Sequence, residues 1–199
     1  MIAWNDDELA PNGGFPPHAH ATLEIITYVR GGEITHQDSL GNIDRTRAGD
    51  VQVMSAGTGI RHAEYNLEDT TSRMFQIWMA HDRSSGAPAL GTKPFPRAER
   101  AGRLVALASG FESDIEALPT RARARVLGAM LRTGESLEYA LVPDRMGYLV
   151  ATLGRLEVNG ARLEARDGGA IKNVSVLSFE VLLDVELVLV DVSSDVPRE

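Results

Sequence analysis

Three of the five histidines in this 199-residue chain fall in two short segments. These are Gly14-Phe15-Pro16-Pro17-His18-Ala19-His20 and Gly59-Ile60-Arg61-His62-Ala63-Glu64. In a β-strand, residues i and i+2 project from one face, so His18 with His20, and His62 with Glu64, each form a fork of donors. Antiparallel pairing of the two forks would bring together three neutral nitrogens and one anionic oxygen, a donor set for a divalent transition metal. Glu24 is a rival oxygen: if the strand runs straight through from His20, it shares the face of His18 and His20. His36 and His81 stand alone and are given no role, while Phe15 and Met54 read equally as pocket lining and as ordinary core.

Composition removes several function classes. The formal net charge of -8 opposes direct nucleic-acid binding, which needs a basic surface to release counterions. The one basic cluster, Arg121, Arg123 and Arg125, alternates with alanine and reads as the solvent face of a strand. The absence of cysteine excludes disulfides, thiolate ligands and cysteine nucleophiles, and fits a reducing compartment. The acidic start, Met1-Ile2-Ala3-Trp4-Asn5-Asp6-Asp7, has no signal-peptide pattern, and no apolar run is long enough to span a bilayer. A soluble cytoplasmic protein without membrane contact is expected.

The elements that must position these residues are strands. Runs rich in Ile, Val, Thr and Tyr at Leu23–Val29, Glu33–Asp38, Val51–Met54 and Met74–Met79 are separated by glycine and Asn/Asp turns. The pattern resumes at Leu104–Ser109, Ala124–Arg132, Tyr148–Leu153, Leu156–Val158, Val174–Leu177 and Val181–Val192. Between the halves, residues 82–100 are rich in proline and glycine and read as a connector, and Gly110–Leu118 reads as a short surface helix. The order of strand, glycine turn, Glu-containing strand, hairpin and acidic-glycine turn recurs in both halves, which predicts an all-β chain built as a duplicated barrel. Overlaying the halves places Ala140, Val142 and Glu180 where His18, His20 and His62 stand, so the second barrel has no matching donors. The division expected is 1–81 for the metal-bearing half, 82–100 for the connector and 101–199 for a half without a metal.

The spacing His18-x-His20-x3-Glu24-x6-Gly31, followed by Gly49 and by Gly59-x2-His62-x3-Asn66, resembles the two motifs of the cupins. More narrowly, "GFPPHAH", "EIITYVRGGEITHQDSLGN", "GDVQVMSAGTGIRHAEYN" and "FQIWM" resemble the pirin family of bicupins, closely over residues 1–80 and more by order of elements beyond. The resemblance implies two tandem jelly-roll cupin barrels. It also implies one divalent metal, Fe(II) by preference with Mn, Co, Ni, Cu or Zn as substitutes, held by His18, His20, His62 and Glu64 with Glu24 outside the shell. Pirins carry a further aromatic-rich N-terminal segment ahead of the position matching Met1. Either the true start lies upstream of Met1, or a chain starting there leaves an open edge for a second copy or a protein partner to cover.

Two functions follow from the resemblance. Several pirins are similar to quercetin dioxygenases, which open a flavonol-like small aromatic substrate with O2, and in that reading Glu64 doubles as the catalytic base. Animal pirin is a regulatory protein, so the alternative is a metal-binding or redox-sensing module that acts through a protein partner without catalysis. A fold that hosts many activities does not choose between them.

Overall fold

A computed structural model describes residues 1–81, 86–142 and 144–193. The chain is all-β, as expected, and separates into two compact units, Met1–Phe95 with Leu118–Ala122, and Pro96–Ala117 with Arg123–Glu199. Among the described residues, no helix is long and apolar enough to cross a membrane.

The first unit contains β1 (Ala3–Leu9), β2 (Gly14–His20), β3 (Leu23–Gly31), β4 (Glu33–Asp38), β5 (Ile43–Arg47), β6 (Val51–Ser55), β7 (Ile60–Tyr65), β8 (Ser72–Ala80), β9 (Ala89–Lys93) and the two-residue β11 (Leu118–Pro119). Two antiparallel sheets form, in the orders β1-β8-β3-β6-β9 and β2-β7-β4-β5. They face each other across two apolar clusters. One joins Leu23, Ile25 and Met54 of the five-stranded sheet to Ile60 of β7. The other joins Leu9, Val29 and Met74 to Ile34 of β4, with Phe15 packed against it. Burial of these side chains on alternate strand positions is what fixes the register, because a slip of one residue would turn each set to the outside.

The second unit contains β10 (Val105–Ser109), β12 (Ala124–Leu131), β13 (Ser136–Ala140), β14 (Arg145–Val158), β15 (Ala161–Glu164), β16 (Gly168–Ile171) and β17 (Val176–Ser193). Its strands run in the order β10-β12-β17-β14-β15, with β13 also on β17 and β16 also on β14. Leu127, Leu149, Leu156, Phe179, Leu187 and Leu189 form its core. The pairs of strands expected at 148–158 and 174–192 are two continuous long strands. β14 stays unbroken by absorbing three register shifts, with Gly154 at a φ of 82° where an added Cβ would meet the Asp184 carbonyl.

Several local expectations are corrected. Gly110–Leu118 is a series of turns and no helix: Asp114, which a helix would leave facing solvent, is bonded by Ser109 and Arg125, and Ile115 is exposed. Within the stretch read as a connector, β9 pairs along β6, and Asp82–Ser85 lie outside the described residues. The arginine cluster is not one face of a strand. The chain bends at 121–123, Arg121 donates to the Ala87 carbonyl, and Arg125 turns to Asp114.

Candidate metal centre

The two forks meet on the four-stranded sheet of the first unit. β7 lies between β2 and β4, so His62 stands opposite His18 on one side and Asp38 on the other, while Glu64 stands opposite Phe15 and His36. The β2–β7 ladder skips between Phe15 and His18, with Pro16 and Pro17 in the gap. Prolines have no N–H to give to a ladder, so they sit where it is interrupted, and the extra residue puts Phe15 and His18 on one face. Gly14 lets β2 approach closely: a Cβ there would lie 2.2 Å from the Glu64 carbonyl oxygen.

A ring nitrogen from each of His18, His20 and His62 lies within 4.8 Å of the other two. Their ring centroids are 4.4 Å (His18–His62), 4.8 Å (His18–His20) and 5.2 Å (His20–His62) apart. A second group, His36, His62 and Glu64, meets the same 4.8 Å limit and is fully buried. His62 belongs to both.

The donor atoms fit a cation. Both nitrogens of His62, Nε2 of His20 and Nδ1 of His36 are buried without a hydrogen-bond partner among the described residues, an arrangement that is costly unless something else binds there. His18 pairs Nδ1 with the Pro16 carbonyl at 2.8 Å. An acceptor at that nitrogen selects the tautomer that leaves Nε2 a lone pair, as outer partners of metal-binding histidines do.

Burial sets the protonation states. It pushes His62 down to about 3, helped by neighbouring His18, His36 and His20, and lowers His20 and His36 as well. His62 is therefore neutral at pH 7, and His20 and His36 are biased towards the neutral form, the one that coordinates. Burial pushes the Glu64 carboxyl up to about 7, the Gln76 hydrogen bond pulls the other way, and the Asp7 charge adds to the rise. Asp7 is itself raised, first by burial and then by Asp6, with Arg30 opposing.

Glu24 is elsewhere. Thr22 takes a φ of 54° between β2 and β3, and the chain passes there from one sheet to the other, so no single strand carries His20 and Glu24. Glu24 lies on the face of β3 opposite to Ile25, and its carboxylate is enclosed by Ser55 Oγ (2.7 Å), Thr120 Oγ1 (2.8 Å), the Arg121 amide (3.0 Å) and His81 Nε2 (2.5 Å). These contacts give it a structural place.

Residues that spacing alone did not single out complete the site. His36 is buried beside His62, 5.2 Å between centroids, and its Nε2 pairs with Asp38, which also accepts from Asn42 and the Leu40 amide. His36 and Asp38 stand two apart on β4, the same spacing as the two forks, and that was the available signal. Gln76 Nε2 donates to Glu64, and Trp78 lies edge-on to His20 with centroids 5.2 Å apart. Phe15 and Met54 both pack into the apolar clusters of the first unit. Beside His20, an open depression of about 450 Å³ is lined by Ala19, Ala21, Ser39, Gly59, Ile60 and Arg61.

Residues 1–79 match the family model described as Pirin, and residues 107–192 match the one described as Quercetinase C-terminal cupin domain. A "Pirin-like protein" of Caulobacter vibrioides is 63% identical over 191 residues, covering 96% of this chain and 82% of that protein. The chain belongs to the pirin family. A quercetin 2,3-dioxygenase of Escherichia coli K12 is 32% identical over 188 residues, 94% of this chain and 80% of that one. The crystal structure of the bacterial pirin YhhW of Escherichia coli in complex with nickel(II) superposes with a TM-score of 0.90 at 29% identity, covering 96% of this chain and 82% of that one. The tandem cupin jelly roll expected of a pirin is thus the fold found, and its histidine and glutamate groups fit a single divalent metal.

Proposed function

We propose that this pirin is a metal-dependent dioxygenase acting with O2 on a flavonol-like small aromatic substrate, with one divalent metal, iron by preference, held by His18, His20, His62 and Glu64. The observation that carries the reading is the convergence of the His18, His20 and His62 imidazoles, with His20 lining an open depression and the buried Glu64 carboxylate grouped with His62 on the same sheet face. Such a metal supplies a Lewis-acid centre at which O2 and an aromatic hydroxy-ketone can be activated together.

The chain's own residues do the rest. Glu64, which we assign as the base, has Oε2 engaged by Gln76 and would use its other oxygen in turn to hold the metal and to take the substrate hydroxyl proton. The small residues Ala19, Ala21 and Gly59 keep the approach beside His20 open.

The test is elemental analysis of protein purified without added metal, followed by O2 uptake with a flavonol panel. One metal per chain with flavonol-dependent O2 consumption supports the reading. Stoichiometric metal with no uptake on any flavonol overturns the catalytic part in favour of a metal-binding module that acts through a partner.

A further inference from the structure

We propose that Gln76, aimed by Trp78, is the positioning residue that fixes which oxygen Glu64 presents to the histidine cluster. The inference rests on the reading above, that the cluster takes a metal, and adds to it how the carboxylate is held.

Gln76 lies in an otherwise apolar strand, Met74-Phe75-Gln76-Ile77-Trp78-Met79, and is buried. A buried primary amide costs free energy unless its donors and acceptor are used, and a leucine or methionine would fill the same space without that cost. Both ends of this amide are used. Nε2 donates to Glu64 Oε2, and Oε1 accepts from the Trp78 indole at 3.4 Å.

The indole decides the direction. Its Nε1–H can only donate, so it selects the rotamer in which the Gln76 oxygen faces Trp78 and the NH2 group faces Glu64. At 3.4 Å the bond is long, and its contribution lies in orientation more than in strength. Without a fixed donor, the terminal torsion of a glutamate is broad, and its two oxygens are interchangeable. With Gln76 in place, Oε2 is occupied and Oε1 is left for the site, where His36 and His62 each bring a ring nitrogen within 4.8 Å of the carboxylate.

Trp78 ties the two forks together from the opposite sheet. Its ring touches His20 of the first fork, and through Gln76 it reaches Glu64 of the second. Spacing produces this directly, since Gln76 and Trp78 stand two apart on β8 and share a face.

The experiment uses the full chain with Trp4→Phe as parent. The sequence has two tryptophans, so emission then comes from Trp78 alone. Co(II) is titrated into the parent and into Gln76→Met, Gln76→Asn and Trp78→Phe made on it, following absorption bands, stoichiometry and, where Trp78 remains, emission. The expected result is one Co(II) per parent chain with quenching of Trp78, and a loss of about 10- to 100-fold in affinity with shifted absorption bands in Gln76→Met, the range for removing an outer partner of a ligand. Gln76→Asn should recover part of the band position because it keeps an NH2 donor. Trp78→Phe, which keeps the ring and loses the N–H, should shift the bands in the same direction as Gln76→Met with a smaller loss of affinity. A folded Gln76→Met with parental affinity and spectrum overturns the proposal and leaves the metal reading standing. If Gln76→Met does not fold, unshifted bands in Trp78→Phe overturn it equally. A parent that takes up no Co(II) overturns both.

Discussion

His62 stands opposite His18 across the β2–β7 ladder with the two ring centroids 4.4 Å apart, and neither nitrogen of His62 has a protein partner among the described residues. His62 is also the shared member of the two donor groups. It is the residue on which the proposed site depends most.

His62→Ala should therefore abolish stoichiometric metal. Its loss should exceed the roughly 100-fold upper range for removing an outer-shell partner, since a direct donor is deleted. Elemental analysis after dialysis against a weak chelator measures this, and unchanged metal content in the variant would remove the proposed site.

Glu64→Gln should lower turnover more than it lowers metal content. The amide keeps an oxygen that can coordinate but cannot accept a proton near neutral pH. Parallel O2-uptake and metal assays give the ratio, and an equal fall in both would mean that Glu64 acts as ligand alone.

The metal-free protein should lose stability through Glu64 as pH rises. The folded-state carboxyl lies at about 7, above its ordinary 4.5, so the folded chain holds that proton more tightly than the unfolded chain does. The favourable contribution is complete below pH 4.5 and is lost as pH climbs through about 7, by at most about 3.5 kcal/mol at about 1.4 kcal/mol per pH unit. His62 works the other way: with its folded value near 3 against 6.5, its contribution is present above 6.5 and lost as pH falls towards 3. Denaturant melts of wild type and Glu64→Gln at several pH values isolate the glutamate, and a gap between them that does not widen from pH 4.5 to 7 contradicts the assignment.

Glu24→Ala should destabilise the fold and spare the metal. It removes the acceptor that Ser55, Thr120 and the Arg121 amide share beside His81, and leaving a buried polar group unsatisfied costs about 1–3 kcal/mol. A lower Tm with full metal loading in the folded fraction is expected. Loss of metal with an unchanged Tm would return Glu24 to the coordination shell.

Metal should stop at one equivalent per chain. Among the described residues, the polar end of the second unit's interior gathers Arg125, Arg145 and Tyr139 around Asp191, a set whose two cations repel a metal ion. A second equivalent that survives replacement of His18 and His20 would show a donor set not recognised in that unit.

Much of this site is legible in the sequence because period-2 spacing on a strand is a strict rule. His18-x-His20 and His62-x-Glu64 obey it, and the structure brings both forks to one sheet. The rule fails where a strand ends. Four residues separate His20 from Glu24, and one left-handed residue, Thr22, sends them to different sheets. His36 carried the same period-2 spacing with Asp38, but His81 and Asp7 were not legible for another reason: each acts through a partner distant in sequence, Glu24 or Glu64, and a lone residue carries no sign of what will stand opposite it. Strand β1 is similarly hidden, because Asn5-Asp6-Asp7-Glu8 is a polar run without apolar alternation, and it becomes a strand where β8 pairs with it and Asp6 meets Arg30.

The four groups around Glu24 bear on heredity as well as on folding. Thr120 and Arg121 lie in Leu118–Ala122, which belongs to the first unit although more than twenty residues of the second come before it in the chain. A gene fragment ending at Phe95 would encode the histidines and the glutamate of the site but omit two of the donors that neutralise a buried acid beneath β3. The unit with the proposed metal site is thus a poor candidate for recombination as a cassette, and the two units, interleaved along the chain in this way, are bound to be inherited together.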